Sequence, residues 1–160
     1  MASDIFLKLG DVNGDSVDKV HAGEIDVLAW GWGMTQSGDM HSASGGGAGR
    51  VDVQDISFTK KVDRASPNLI KFCCNGEAFK TATLTVRKAG KDPLEYLVIE
   101  LENVVISSFS LGGSPGDEVL TENVSLNFAK FKYVYTSQMD DGSGGAAIDA
   151  GYDIRTNEVT

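Results

Sequence analysis

The sequence predicts a mainly β protein, a barrel closed by long bent strands with one short helix at its side. Three observations carry this reading. Apolar residues recur at period two along most of the chain, the pattern of half-buried strands. Three of these runs switch parity partway, which calls for a bulge or a bend. Only one segment combines helical start and stop signals. Long strands that bend and present apolar groups on alternating sides suit a closing barrel with further surface to bury elsewhere, and a subunit interface would supply that burial.

The elements follow in order. "DIFLKL", Asp4 to Leu9, sets Ile5, Leu7 and Leu9 against Phe6 and Lys8. "EIDVLAWGWGM", Glu24 to Met34, places Leu28, Trp30, Trp32 and Met34 on one face and Ile25 and Val27 on the other, so this strand is expected to be covered on both sides. An extended Gly-rich loop, about 37–50, follows and contains five small residues in a row, Gly45 to Gly49. In "VDVQDISF" Val51 and Val53 share one face while Ile56 and Phe58 share the other.

"SPNLIKFCCNG" reads as the helix, about 66–76, with Ser66 as N-cap, Pro67 at the first helical position and Gly76 just past the end. Leu69, Phe72 and Cys73 recur at helical spacing and should face the barrel, which turns Cys74 outward. "TATLTVR" is a further half-buried strand, and "RKAGKDPLEY" a hairpin turned by Gly90 and Pro93. "YLVIELENVVISSF" loses its parity around Asn103. "NVSLNFAKFKYVY" moves from Val124, Leu126 and Phe128 to Phe131, Tyr133 and Tyr135. Residues 137–151, with "DDGSGGAAIDAG", read as a flexible Gly-rich segment before a short C-terminal strand.

Length and charge bound the function. The 160 residues fit one domain, 1–160, large enough to bury roughly two thirds of its unfolded surface. Lys and Arg total 14 against 23 Asp and Glu, a net charge of -9 that repels phosphate backbones and argues against nucleic acid as a partner. The basic clusters "KKVDR", Lys60 to Arg64, and "RKAGK", Arg87 to Lys91, read as solvated strand ends and turns. No apolar run reaches the roughly 18 residues a membrane span needs, and "MASDIFLKLGD" lacks the pattern of a Sec-type signal. The adjacent Cys73 and Cys74 fit neither a disulfide framework nor a zinc site, so synthesis in the cytoplasm is expected.

No chemical motif survives its context. The glycines from Gly45 lead into Arg50 and a strand, not into the lysine and helix of a phosphate loop. Asp11, Asn13 and Asp15 have calcium-loop spacing, but Ser16 stands where the turn glycine is required and Ala22 where the bidentate glutamate is. Ser37, Asp39, His41 and Ser42 crowd onto a loop that cannot preorganise a catalytic set. His21 and His41 are the only histidines. The expectation is therefore no catalytic residue, no metal site and no cofactor.

Several stretches together resemble a known family: "EIDVLAWGWGM", "GGGAGRVDVQDISFTK", "SPNL", "LTVRKAG", "LEYLVIEL", "GGSPG" followed by "LTENVSLNFAK", and the terminal "YDIRTN". In order and spacing, from Asp4 to Asn157, the chain resembles the haemolysin-coregulated protein family, Hcp, of bacterial type VI secretion. The resemblance implies a β-barrel of two antiparallel sheets with the helix at its flank and no enzymatic activity. It further implies a homohexameric ring that stacks with others into a tube. A contractile sheath surrounds that tube, a spike protein tips it, and effector proteins ride in its lumen. The tube is exported by the type VI machine, without membrane insertion. On this resemblance the Gly-rich loop contacts the next ring through His41, Ser42, Gly45, Gly46, Gly47, Gly49 and Arg50. Ser114, in "SLGGSPGDEV", falls where a small side chain lines the channel, although Pro115 departs from the family pattern and stiffens that turn. The alternatives are an ordinary hairpin turn at Ser114 and, for the whole chain, a monomeric β-barrel that binds a small molecule.

Overall fold

Among the residues that the computed structural model describes, 3–38, 40–41 and 49–160, the alternating runs form eleven strands and the segment around Pro67 forms one helix. In chain order these are β1 (Ser3–Leu9), β2 (Ile25–Asp26), β3 (Ala29–Gly31), β4 (Met34–Gln36), β5 (Val51–Val53), β6 (Ile56–Lys61), α1 (Ser66–Asn75), β7 (Phe79–Lys88), β8 (Glu95–Gly112), β9 (Thr121–Gln138), β10 (Gly144–Asp153) and β11 (Glu158–Val159). The fold is mainly β, with two antiparallel sheets. Nine strands form one, in the order β11-β10-β9-β8-β7-β1-β2, with β6 on β9 and β3 on β6; β4 and β5 form the other.

The large sheet comes round on itself without a continuous ladder, a small departure from a closed barrel. Residues 25–31 bridge the gap by changing partner. Phe6 pairs with Asp26 at one end and Trp30 with Phe58 at the other. Between them Val27 donates its amide to Ile5 of β1, and Leu28 donates its amide to Thr59 of β6. Successive amides of an extended chain point to opposite edges, so two neighbouring residues suffice to hold both sides.

The parity switches read from the sequence are bends in the structure. In β8, Leu97, Ile99 and Leu101 point inward, and then Val104 and Ile106 do; in β9, Val124, Leu126 and Phe128 do, and then Phe131. Both changes occur at one place in the ladder, between the pairs Glu102–Lys130 and Val104–Phe128. Asn103 has φ 53° there, the left-handed conformation that re-aims the strand. A second irregularity follows at Ser107, between Ile106 and Ser108. The side of each long strand that faces the core thereby changes partway along. Their N-terminal and C-terminal halves meet different neighbours, β7 on the first half of β8 and β6 on the first half of β9. In "VDVQDISF" the switch falls between β5 and β6, where the chain leaves the small sheet for the large one.

The helix lies where its signals place it, with a different cap. Gly76, at φ 67°, takes the left-handed C-terminal position and donates its amide to the Phe72 carbonyl. Ser66 is already helical and Ala65 occupies the N-cap. No side chain caps the helix; Asp63 Oδ1 accepts the Ala65 amide at 2.9 Å in the turn that leads into it. Ser66 Oγ accepts the Asp63 amide at 3.0 Å. As expected, Leu69 is fully buried, Phe72 and Cys73 pack on the core and Cys74 is exposed.

The structure departs from the sequence pattern at two places. Residues 24–34 are not covered on both faces within one chain: Ile25 and Val27 are buried while Leu28 and Met34 stand in solvent. The basic clusters are not simply solvated either. Lys60, which pairs with Glu122 across the β6–β9 ladder, is completely buried, and Arg87 nearly so. Each is buried because carboxylates surround it, the condition under which an ionised side chain leaves water. Asp15, from the calcium-like spacing, is held by Arg64 Nε at 2.7 Å.

Candidate assembly surface

The interior of the barrel is filled by Leu7, Leu9, Ile25, Leu84, Ile99, Leu101 and Leu126, so its core is packing and not a chamber. Beyond that core, the inward face of the large sheet continues uncovered. Tyr133 and Tyr135 of β9 pair with Ala150 and Ile148 of β10, and these positions lie on the same face as Phe131 and Tyr152, which are buried. Ile148 is nevertheless 69 % exposed and Tyr135 43 %. Trp32, just before the small sheet, lines this face together with Met34, Val51 and Val53 of that sheet and Val159 of β11. The result is a mainly apolar groove of about 640 Å³. Trp32 is fixed there by edge contact with Phe131, ring centroids 4.8 Å apart, and by donating its indole N–H to the Gln54 carbonyl at 3.0 Å.

The small sheet forms the base of the Gly-rich loop. Met34 pairs with Val53 and Gln36 with Val51. Arg50 donates to the Ile154 carbonyl at 2.7 Å and so ties the arm to the C-terminal segment. Gly49 faces the opposite side of the arm at close range: a Cβ there would lie 2.8 Å from the Gly38 amide nitrogen and would also strike Ser37. His41 is exposed. Ser42, Gly45, Gly46 and Gly47, together with Asp39, lie outside the described residues.

Ser114 sits in an exposed turn between β8 and β9. Its carbonyl accepts the Asp117 amide at 3.0 Å, and its own amide donates to Asp117 Oδ2 at 2.8 Å. Because Val62, just past β6, donates to the Leu120 carbonyl beside this turn, the turn lies at the C-terminal end of β6. The arm springs from β4 and β5, which precede the N-terminal end of β6, so the two sets of predicted residues lie toward opposite ends of this strand.

The contribution of β10 to the apolar face was missed by the sequence reading. Ile148, Ala150 and Tyr152 alternate within "AAIDAGYD", a period-two signal masked by the glycines and aspartates around it. Most of β10 lies within residues 137–151.

Among the described residues no group of three or more metal-ligating side chains converges, and no helix is long and apolar enough to cross a membrane. The family model described as type VI secretion system effector, Hcp, matches residues 6–135. The chain belongs to the Hcp family. Protein hcp1 of Pseudomonas aeruginosa is 54 % identical over 159 residues, 98 % of each chain. The crystal structure of Hcp1 from Salmonella typhimurium superposes with a TM-score of 0.84 at 39 % identity, covering all of both chains. A solved type six secretion system protein reaches a TM-score of 0.93 at 26 % identity, over 99 % of this chain and 100 % of its own. The apolar face and the arm described above are thus features of a type VI secretion protein of the Hcp family.

Proposed function

We propose that this chain, as a single domain, is the ring-forming subunit of a type VI secretion inner tube. Six copies close into a ring, rings stack, and the assembled tube is ejected from the cell and secreted. The observation that carries this reading is the apolar face of β9 and β10 with Trp32 and Met34 beside it. A protein of this size rarely leaves so continuous an apolar surface in water unless something covers it. A closed ring is heterologous, so this face meets a different surface of the next copy.

In this reading the arm, with His41, Ser42, Gly45, Gly46, Gly47, Gly49 and Arg50, makes the contact between rings. The separate two-stranded sheet at its base suits a projecting element. Ser114 faces the lumen, where small effector proteins are carried. A contractile sheath lies outside and a spike protein caps the tip. The chain then acts by shape and assembly and needs no cofactor.

Negative-stain images and solution mass of the purified protein test the assembly. Six-fold rings with an open centre are expected. Only monomers at micromolar concentration would overturn the proposal and return the monomeric ligand-binding barrel.

A further inference from the structure

One cluster of ionisable groups shares no residue with the apolar groove. Residues 10–24 connect β1 to β2, and residues 16–24 are tied down by side chains of three strands. His21 stacks on Phe6 of β1, ring centroids 4.5 Å apart and 12° from parallel. Its Nδ1 lies 2.8 Å from Glu24 Oε2 and its Nε2 lies 2.5 Å from Glu95 Oε1, at the start of β8. Beside it, Arg87 of β7 donates to both carboxylate oxygens of Asp18, at 2.7 and 3.0 Å, and to Asp4 of β1 at 3.1 Å. Asp18 Oδ2 in turn accepts the amides of Val20 and His21.

An ionised carboxylate can only accept hydrogen bonds, and here each imidazole nitrogen faces one. With both carboxylates ionised, both nitrogens donate, which only the doubly protonated ring can do. A neutral ring would turn a lone pair toward one of the two carboxylates, losing that bond and adding repulsion in its place.

We propose that residues 16–24 form a proton-operated latch, closed onto β1, β7 and β8 while His21 carries both protons and loosened when it gives one up. The charged groups around the ring are Glu24 and Asp18 from its own segment, Glu95 from β8, and Arg87 from β7 with Asp4 of β1 behind it. The Asp18–Arg87 pair does not change state near neutrality. Arg87 holds the Asp18 carboxyl well below the usual carboxylate range, and Asp18 raises the guanidinium further still.

His21 is the group that responds. Burial pulls its pKa down, but the hydrogen bonds to Glu95 and Glu24 outweigh burial, and the result lies above 6.5. A histidine raised in the closed state contributes fully below its ordinary value and is lost as pH rises through the raised one. The latch therefore opens on the alkaline side. The neck stays closed through backbone bonds from Gly14 to Gly23 and from Ser16 to Glu24. What loosens is the tip, which carries Val17 and Val20 on its exposed side.

The test is an NMR titration of the full chain, following the His21 ring and the exchange of the Val20 and His21 amides, corrected for the intrinsic pH dependence of exchange. The ring should titrate above the free-histidine value of about 6.5. Amide protection should fall severalfold in step with it, each unit between closed and open pKa multiplying opening by about tenfold. Protection at Ile99 in the core should stay constant. Glu95→Gln should move the ring titration and the loss of protection down together. Titration of the wild-type ring at or below the free value, or protection that ignores it, would overturn the latch without any variant having to fold.

Discussion

Lys60 and Glu122 are direct partners in the β6–β9 ladder and meet at 2.6 Å with both side chains out of water. The ammonium has three protons to place, and three acceptors surround it: Glu122, Asp63 at 2.8 Å and Ser66 at 3.2 Å. Asp63 and Ser66 are also the residues that organise the start of the helix. One buried cation thus joins a strand ladder to a helix terminus.

Removal of one partner should be costly. Glu122→Ala leaves the Lys60 charge buried without its strand partner and should destabilise the chain by about 3–5 kcal/mol, read from urea denaturation. The exposed neighbour Lys61 is the control, and Lys61→Ala should stay within about 0.5 kcal/mol. Equal costs for the two would show that the buried pair is not what matters.

The apolar face offers a test of assembly that spares the core. Ile148 stands in solvent in the single chain, so Ile148→Lys should leave the melting temperature of the subunit nearly unchanged. Placed in a subunit contact, the new charge should dissolve the ring, and light scattering reads this as a drop to monomer mass. Rings that persist would place the contact elsewhere.

The arm offers a test of stacking. Replacement of residues 42–49 by a tight turn should preserve folding and rings while shortening stacked tubes and reducing secretion, measured by electron microscopy and by the amount of protein outside the cell. Tubes of normal length would leave the loop with no part in stacking.

At the other end of β6, Ser114→Gln repeats a bulky side chain on every copy of the ring. The turn is exposed, so the stability cost should stay within about 0.5 kcal/mol. Intact rings that no longer co-purify with effector proteins are the expected outcome. Unchanged effector retention would turn Ser114 away from the lumen.

Acid should loosen the Asp18–Arg87 clamp. A carboxyl held below its ordinary value of 3.8 contributes stability that is present above that value and lost as pH falls through the lower one. Denaturation midpoints should therefore decline more shallowly in Asp18→Asn than in the wild type as the pH drops below 3.8. Parallel declines would mean that other carboxylates dominate.

Much of the fold was legible because one-sided burial writes itself as period two, and a bend writes itself as a slip in that period. Asn103 is the clearest case: the parity fails there, and there the backbone takes a positive φ. Pro67 and Gly76 marked the helix for equally local reasons. What stayed hidden depends on partners distant in sequence. Lys60 looks like any surface lysine until Glu122, 62 residues away, is brought against it, and Arg87 likewise until Asp18 folds over β7. The strand β10 was obscured by its glycines, and with it the apolar face. The arm and the Ser114 turn can be located in the sequence, but that they sit at opposite ends of β6 follows only from the ladder.

The paired bend at Asn103 also has a mechanical meaning. Because β8 and β9 change their inward side together at Asn103, they stay paired as one long antiparallel ladder from Leu97–Tyr135 to Gly112–Thr121, broken in register only at Ser107. A push or pull along those strands loads their hydrogen bonds side by side, so that many must yield at once, whereas a force across the ladder would open them singly like a zip. Along that one direction the ladder resists most.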